Sequence, residues 1–447
     1  MNLNNDNLEF NTANIGENNG TSFLFSPSVT SFPEFNFFQQ PRTGQPYLDI
    51  FSSQVLDHNT TLFDSAVSDN MGMTKEERWH TWLDAEARRR LLTACFVVDA
   101  HTAIYHEQPR MRPFDPSNPL PIPLTGPSRE LWEAQSADDW ASILDANPAM
   151  GNPQFLPHPD SLAPESIAAR PAFDRLAILA AEAMRLPRHP PSHPDTSSSL
   201  LGTPEPGLDP ADQDYMAAAT AAASLQAEER INYLFPASPT ANAYLALHHT
   251  PLHDLLAVSG DSWVFSQKVL HPTSFLEHQK RLKLWAEQHA RGSTSANSSF
   301  GSMPGDNAPF TMSAAKATIF AARALVAFLS TSDNGPSPWQ MACISDYWAL
   351  YVCALICWAF GHRTPRGGDA SRSNSSNDEE ALGWLRMVSK MQPEEVVRVR
   401  GRREVTGVVG LVRRRLEIDC VGGRSRLYVD AVGVLRKLEE GVNWKWF

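Results

Sequence analysis

The chain has 447 residues and 42% hydrophobic content, enough for a large single domain or two to three smaller ones with a substantial core. Its 38 Lys and Arg stand against 50 Asp and Glu, a formal charge of -12, which argues against bulk nucleic-acid binding by this polypeptide alone. The five cysteines, Cys95, Cys343, Cys353, Cys357 and Cys420, argue against a disulfide scaffold and for a reducing compartment. The opening residues MNLNNDNLEF lack the features of a signal or transit peptide, so a cytosolic or nuclear protein is expected.

Residues 1–73 are expected to be a disordered Asn- and Phe-rich acidic segment. Up to residue 70 they hold eight acidic side chains, the single Arg42, nine Phe and no sustained helical period. Such acidic-hydrophobic sequence suits either a partner-binding surface or an uninvolved tail, and the tail is favoured. The character changes at Thr74, an N-cap residue with Glu77 at the capping-box position, and no Gly or Pro follows until Pro109. One long helix is predicted here. Leu91 to Val98 is apolar around the helical wheel, which predicts neighbours on every side and a central place in the fold. Glu86 and Arg90, one turn apart beside Trp79 and Trp82, are expected to form an ion pair worth only a few tenths of a kcal/mol if exposed.

Pro113, Pro116, Pro119, Pro121, Pro123 and Pro127 then impose an extended stretch, after which SRELWEAQSADDWASIL resumes helical spacing. Further helices are predicted at 164–186, 211–233, 241–258, 272–290, 311–330 and 338–360, followed by two near the C-terminus. The first of that last pair aligns Val405, Val408, Val412 and Leu416. The second aligns Leu427, Ala431, Leu435 and Leu438 and stops at Gly441. Pro-, Ser- and Gly-rich insertions near 188–210, 291–309 and 363–380 interrupt the helical segments. The uncharged run from Tyr347 to Phe360 falls short of the roughly 20 residues that span a bilayer, and predicts a buried helix with no membrane partner. Strand-like alternation is nearly absent and no long repeat occurs, so the fold class is all-α: a large multi-helix domain over 74–447 with loop insertions.

Cys353 and Cys357 share a helix face, with His362 close by, a spacing that can ligate metal. Uniformly apolar surroundings favour small buried hydrophobes instead. His248, His249 and His253 could seat a metal or serve as a general base, but solvated or capping histidines at a helix end are favoured, because no hydrolase motif accompanies them. No nucleophile elbow, phosphate loop, zincin or dinucleotide fingerprint occurs, so no enzyme activity is expected. Arg398, Arg400, Arg402, Arg403, Arg413, Arg414 and Arg415 form the one strongly cationic run, suited to nuclear import or phosphate contact. A structural role is favoured, with Arg413, Arg414 and Arg415 near a helix C-terminus, where the macrodipole welcomes cations.

Two blocks resemble the regulatory middle-homology domain of fungal-specific transcription factors, also called the xylanolytic activator type. In WHTWLDAEARRRLLTACFVVD the matching residues are Trp79, Trp82, Glu86, Arg89, Arg90, Phe96 and Asp99. DYWALYVCALICWAFGHR and LYVDAVGVLRKLEEGVNWKWF resemble the ending of the subgroup that carries two-cysteine two-histidine zinc fingers. The resemblance implies a nuclear regulatory domain, no cofactor in this chain, and zinc and DNA only through a finger module that is missing or separate. It also implies transcriptional co-regulators or a full-length relative as partners, and a small-molecule effector that no residue identifies. Thr93 stands where that family often has an aromatic residue. No finger spacing is present, since no Cys precedes Cys95. Two rivals remain: a finger-less modulator acting by protein association, and an all-α enzyme built around 248–253.

Overall fold

The computed structural model describes residues 72–107, 122–158, 161–187, 210–259, 263–264, 267–268, 272–287, 313–329, 344–363, 378–420 and 426–441. The acidic N-terminal segment up to residue 71 and nearly all of the three predicted insertions lie outside them, as does the side chain of Leu427.

The described chain is all-α, with fifteen α-helices and two two-residue ladders. Helix α1 spans Lys75–Tyr105 and opens with the expected capping box. The Glu77 amide donates to Thr74 Oγ1 at 3.3 Å, and the Thr74 amide donates to Glu77 Oε2 at 2.8 Å. Both satisfy donors that the first helical turn would leave orphaned. Strand β1, Pro123–Leu124, follows and pairs antiparallel with β2, Gln154–Phe155, in register Pro123 with Phe155. Between them lie α2 (Arg129–Glu133), α3 (Ala137–Ala146) and a 3-10 turn.

The predicted 164–186 helix is two: α4 (Pro164–Ala168) and α5 (Ala172–Ala183). Pro171 separates them, since it lacks an amide hydrogen to continue the ladder. Helix α6 (Pro210–Leu234) matches its prediction closely. The predicted 241–258 helix is likewise split by Pro251 into α7 (Pro239–His248) and α8 (Leu252–Ser259). After the short β3–β4 pair (Trp263–Val264 and Gln267–Lys268) come α9 (Pro272–Glu287), α10 (Ser313–Leu329) and α11 (Ile344–Gly361). The C-terminal section holds α12 (Asp378–Val388), α13 (Pro393–Val396), α14 (Arg402–Cys420) and α15 (Arg426–Glu440), so the predicted pair is preceded by two further helices. Gly441 stops α15 at φ +67°, a conformation that suits glycine.

The core centres on α10 and α11. In α10, Ala315, Ala317, Ala321, Ala322 and Ala324 have no exposed surface, and α7 meets them with Ala243 and Ala246, equally buried. Small side chains on both partners let the helix axes approach closely. Helix α11 is buried along its apolar length from Trp348 to Phe360, and no described helix is long and apolar enough to cross a membrane. Val405, Val408, Val412 and Leu416 of α14 are fully buried, and Tyr428, Ala431, Leu435 and Leu438 of α15 are buried as well. Gly361 lies where α11 meets α14: an added Cβ would stand 2.4 Å from Val405 Cγ2. Gly361→Ala should therefore lower the unfolding free energy by ~1–3 kcal/mol, measurable by urea denaturation.

The expectation for α1 needs correction. Leu91 is 64% and Val98 61% exposed, so this helix borders the core and is not enclosed by it. It packs through one face on α5 and β1, and its C-terminal turn reaches the centre, where the Trp348 indole donates to the Tyr105 carbonyl at 3.4 Å. A wheel apolar on all sides permits enclosure but does not supply the neighbours.

Candidate functional site

Glu86, Arg89 and Arg90 occupy one face of α1 because residues three and four apart in a helix are neighbours. Glu86 is 2% exposed, and both its oxygens are engaged: Arg89 donates to Oε2 at 3.1 Å and Arg90 Nε donates to Oε1 at 3.0 Å. The Ser128 hydroxyl adds a third donor at 2.5 Å, reaching Oε1 from the segment that links β1 to α2. The expected Glu86–Arg90 pair is thus part of a buried, four-residue network.

The same segment is tied at two more places. Arg90 reaches the Thr125 carbonyl at 3.4 Å, and its guanidinium lies 4.5 Å above the Trp132 ring. Thr93, fully buried, donates to the Pro123 carbonyl at 2.7 Å, so a hydroxyl serves where the resembling family often has an aromatic ring. From the opposite side Asp174, near the start of α5, accepts the Thr125 amide and hydroxyl and the Gly126 amide, each at 2.8 Å. The 123–128 segment is therefore clamped between two buried carboxylates. Burial pulls the Arg89 guanidinium below its ordinary value, and the charge and hydrogen bond of Glu86 act against that shift. A shallow cleft of about 220 Å³, counting its open mouth, lies beside Glu86, Arg89 and Ser128, and no water-sized sphere fits inside it. A carboxylate with three donors already on it holds structure together and is poorly placed to take a proton from a substrate.

The other residues of the same sequence block pack around this network. Trp82 is buried with Leu131 and Trp140, the two indoles 6.1 Å apart, and Trp79 packs on that cluster half-buried. Phe96 joins Val97, Ala100, Ile122, Ala177, Ala180 and Met184 in a second cluster between α1 and α5. Asp99 is half-buried on α1, outside both the clamp and these clusters.

The arginine run divides in two. Arg398 and Arg400 are exposed, in the segment between α13 and α14, and Arg402 opens α14. Half-buried Arg363 pins that segment by donating to the Val397 and Val399 carbonyls at 2.7 and 2.8 Å. The remaining arginines meet acids: Arg403 with Glu380 at 3.3 Å, Arg413 with Glu417 and Glu439 at 2.6 Å each, Arg414 with Asp378, and Arg415 with Asp419 at 2.6 Å. Arg413, Arg414 and Arg415 sit within α14 and not in its last turn, which corrects the macrodipole expectation. Carboxylates on α12, α14 and α15 neutralise them instead.

The favoured reading of solvated or capping histidines at a helix end holds for position in two of the three, since His248 closes α7 and His249 is its C-cap residue, but neither ring is given over to solvent. His249 is largely buried, with Nε2 3.0 Å from Glu228 Oε2, and Lys316 donates to the same carboxylate at 3.1 Å. His248 Nε2 lies 2.7 Å from the Ser224 hydroxyl, so both rings fasten α6 to the core. Burial alone would raise the Glu228 carboxyl, but the His249 hydrogen bond and charge, together with Lys316, hold it below its ordinary value. His253 faces a different neighbour: its ring stands 4.9 Å from that of His278 on α9. The three histidines therefore do not converge on one cleft. Cys353 and Cys357 are buried, and burial pushes both thiols above their usual range. His362 directs Nδ1 to the Trp358 carbonyl at 2.9 Å. These contacts agree with the core role favoured for them.

Sequence reasoning found Glu86, Arg89 and Arg90 but missed Thr125, Ser128 and Asp174. These lie 35 to 88 positions away along the chain and carry no spacing signal. Comparison with known proteins finds no family model, no curated protein and no solved structure that matches this chain.

Proposed function

We propose that this chain is the helical regulatory domain of a fungal-specific RNA polymerase II transcription factor, acting in the nucleus through protein association and without catalysis of its own. The observation that carries the proposal is the clamp. The Glu-x-x-Arg-Arg residues on which the resemblance rests, Glu86, Arg89 and Arg90, meet in one buried network that fixes the segment after β1. A motif with that architectural role is a fitting signature for a domain family.

The acidic charge of the chain, and the carboxylates on Arg403, Arg413, Arg414 and Arg415, support a reading in which DNA is reached through a separate zinc-finger module or a fingered relative. On this reading the chain tunes a factor's output by favouring one of two packings or partners.

The test is a tethering assay. The full chain is fused to an unrelated DNA-binding domain and directed to a reporter promoter in a fungal host. A several-fold change in reporter transcript relative to the DNA-binding domain alone is expected. An unchanged reporter, with the fusion stable and nuclear, would sink the proposal.

A further inference from the structure

A second polar cluster lies at the junction of α8 and α9, apart from the clamp. His253 and Asp254 open α8, and His278 and Arg281 lie one turn apart on α9. The donor atoms of His253, Asp254 and His278 all fall within 4.8 Å of one another. Asp254 is 3% and His278 4% exposed, while His253 is half-exposed at the rim.

The contacts at the centre pose a problem of proton placement. His278 Nδ1 stands 2.6 Å from Asp254 Oδ1 and 2.7 Å from an Arg281 terminal nitrogen. That same Arg281 nitrogen is 2.8 Å from Asp254 Oδ1. If Nδ1 carries a proton, it serves Asp254 but faces the guanidinium donor to donor. If it carries none, it accepts from Arg281 but faces the carboxylate lone pair to lone pair. No single protonation state satisfies all three contacts. A cation without hydrogens, seated where the Arg281 nitrogen now lies, would be attracted by the carboxylate and the imidazole together.

We infer that His253, Asp254 and His278 form a binding site for a divalent transition metal of the zinc class, with Arg281 as the built-in cation that holds the place. Two imidazoles and one carboxylate are a donor set that zinc accepts, leaving a fourth position open. Zinc sits about 2.0–2.2 Å from such donors, which brings them to roughly 3.3 Å from one another. Asp254 Oδ1 and His278 Nδ1, now 2.6 Å apart, would part by about 0.7 Å to hold the metal, and His253, half-exposed at the rim, supplies the third donor. Arg281, about a quarter exposed, has solvent to swing into. The site is independent of the regulatory proposal above and adds a metal to a chain for which the sequence implied none.

The arrangement makes an asymmetric prediction. Removing Arg281 removes the competing cation, so Arg281→Ala and Arg281→Gln should bind metal about tenfold more tightly than the natural chain. Removing a ligand should do the reverse: His278→Ala and Asp254→Asn should weaken binding by about tenfold or more. The experiment titrates the full chain with Zn2+ against a chromophoric chelator, and with Co2+ followed by its visible absorption, with far-ultraviolet circular dichroism confirming each variant's helix content. One equivalent bound by the natural chain, strengthened in the folded Arg281 variant and weakened in the ligand variants, supports the site. No stoichiometric binding by either the natural chain or the folded Arg281 variant would overturn it. Binding undiminished in His278→Ala and Asp254→Asn would also overturn it, because the metal would then lie elsewhere.

Discussion

Replacing Glu86 with Ala should cost the protein about 3–5 kcal/mol of stability, the range expected when one member of a buried ion network is removed and its partners stay behind. Arg89 and Arg90 have side chains only 11% and 25% exposed, and without Glu86 both guanidinium groups face each other with no carboxylate between them. Ser128 loses its short hydrogen bond in the same step, so the segment after β1 loses one of its ties to α1. Glu86→Gln keeps the side-chain volume and one acceptor oxygen but turns a donor amide nitrogen toward a donor on the other side, so it should cost somewhat less than Glu86→Ala while still weakening the network. Urea denaturation of the two variants and of an Arg89 double-mutant cycle would separate the charge from the packing. A loss below about 1 kcal/mol in Glu86→Ala, the value for an exposed pair, would mean that the network does not hold the fold.

The second large effect is a loss of stability in mild acid. Burial holds His101 down to about 4. It does the same to His362, also to about 4, where the nearby Arg402 charge adds to the effect and the hydrogen bond to the Trp358 carbonyl opposes it. Both are neutral bases in the folded chain that would charge near 6.5 once unfolded. The unfolded state therefore takes up protons first as the pH falls. Stability that is fully present above about 6.5 is lost progressively down to about 4, by at most ~3 kcal/mol for each histidine. His106, also lowered by burial, and the depressed Glu228 carboxyl change stability in the same direction, the latter at the acid end of the range, while Glu107, raised to about 6 by burial and the Asp254 charge, offsets part of the loss. Unfolding free energies measured between pH 7 and 4.5 should fall steadily. His362→Gln should flatten part of the slope, and a profile that stays level across this interval would show that these histidines remain accessible to protons.

How much of this was legible in the chain depends on how local each cause is. The capping box at Thr74 and Glu77, the apolar faces of α14 and α15 and the stop at Gly441 were read correctly because each depends on residues within a turn or two. Pro171 and Pro251 each split a predicted helix, a local signal that the apolar periodicity on either side masked. The burial of α11 was legible because an unbroken apolar run has nowhere else to go in water.

The clamp was half legible. Spacing along a helix placed Glu86 with Arg89 and Arg90, but whether the pair is exposed or buried depends on Ser128, Thr125 and Asp174 arriving from elsewhere. Likewise no spacing announces that His278 and Arg281 meet Asp254, or that acids on α12 and α15 neutralise the arginines of α14. The sequence by itself determined the all-α class, most helix positions and the face that each C-terminal helix buries, because backbone hydrogen bonding and apolar periodicity act over a few residues. The tertiary structure alone decided that α1 borders the core, which charges are buried, and which distant side chains share them. Those outcomes depend on solvent exclusion by segments far apart in the chain, and no local pattern encodes it.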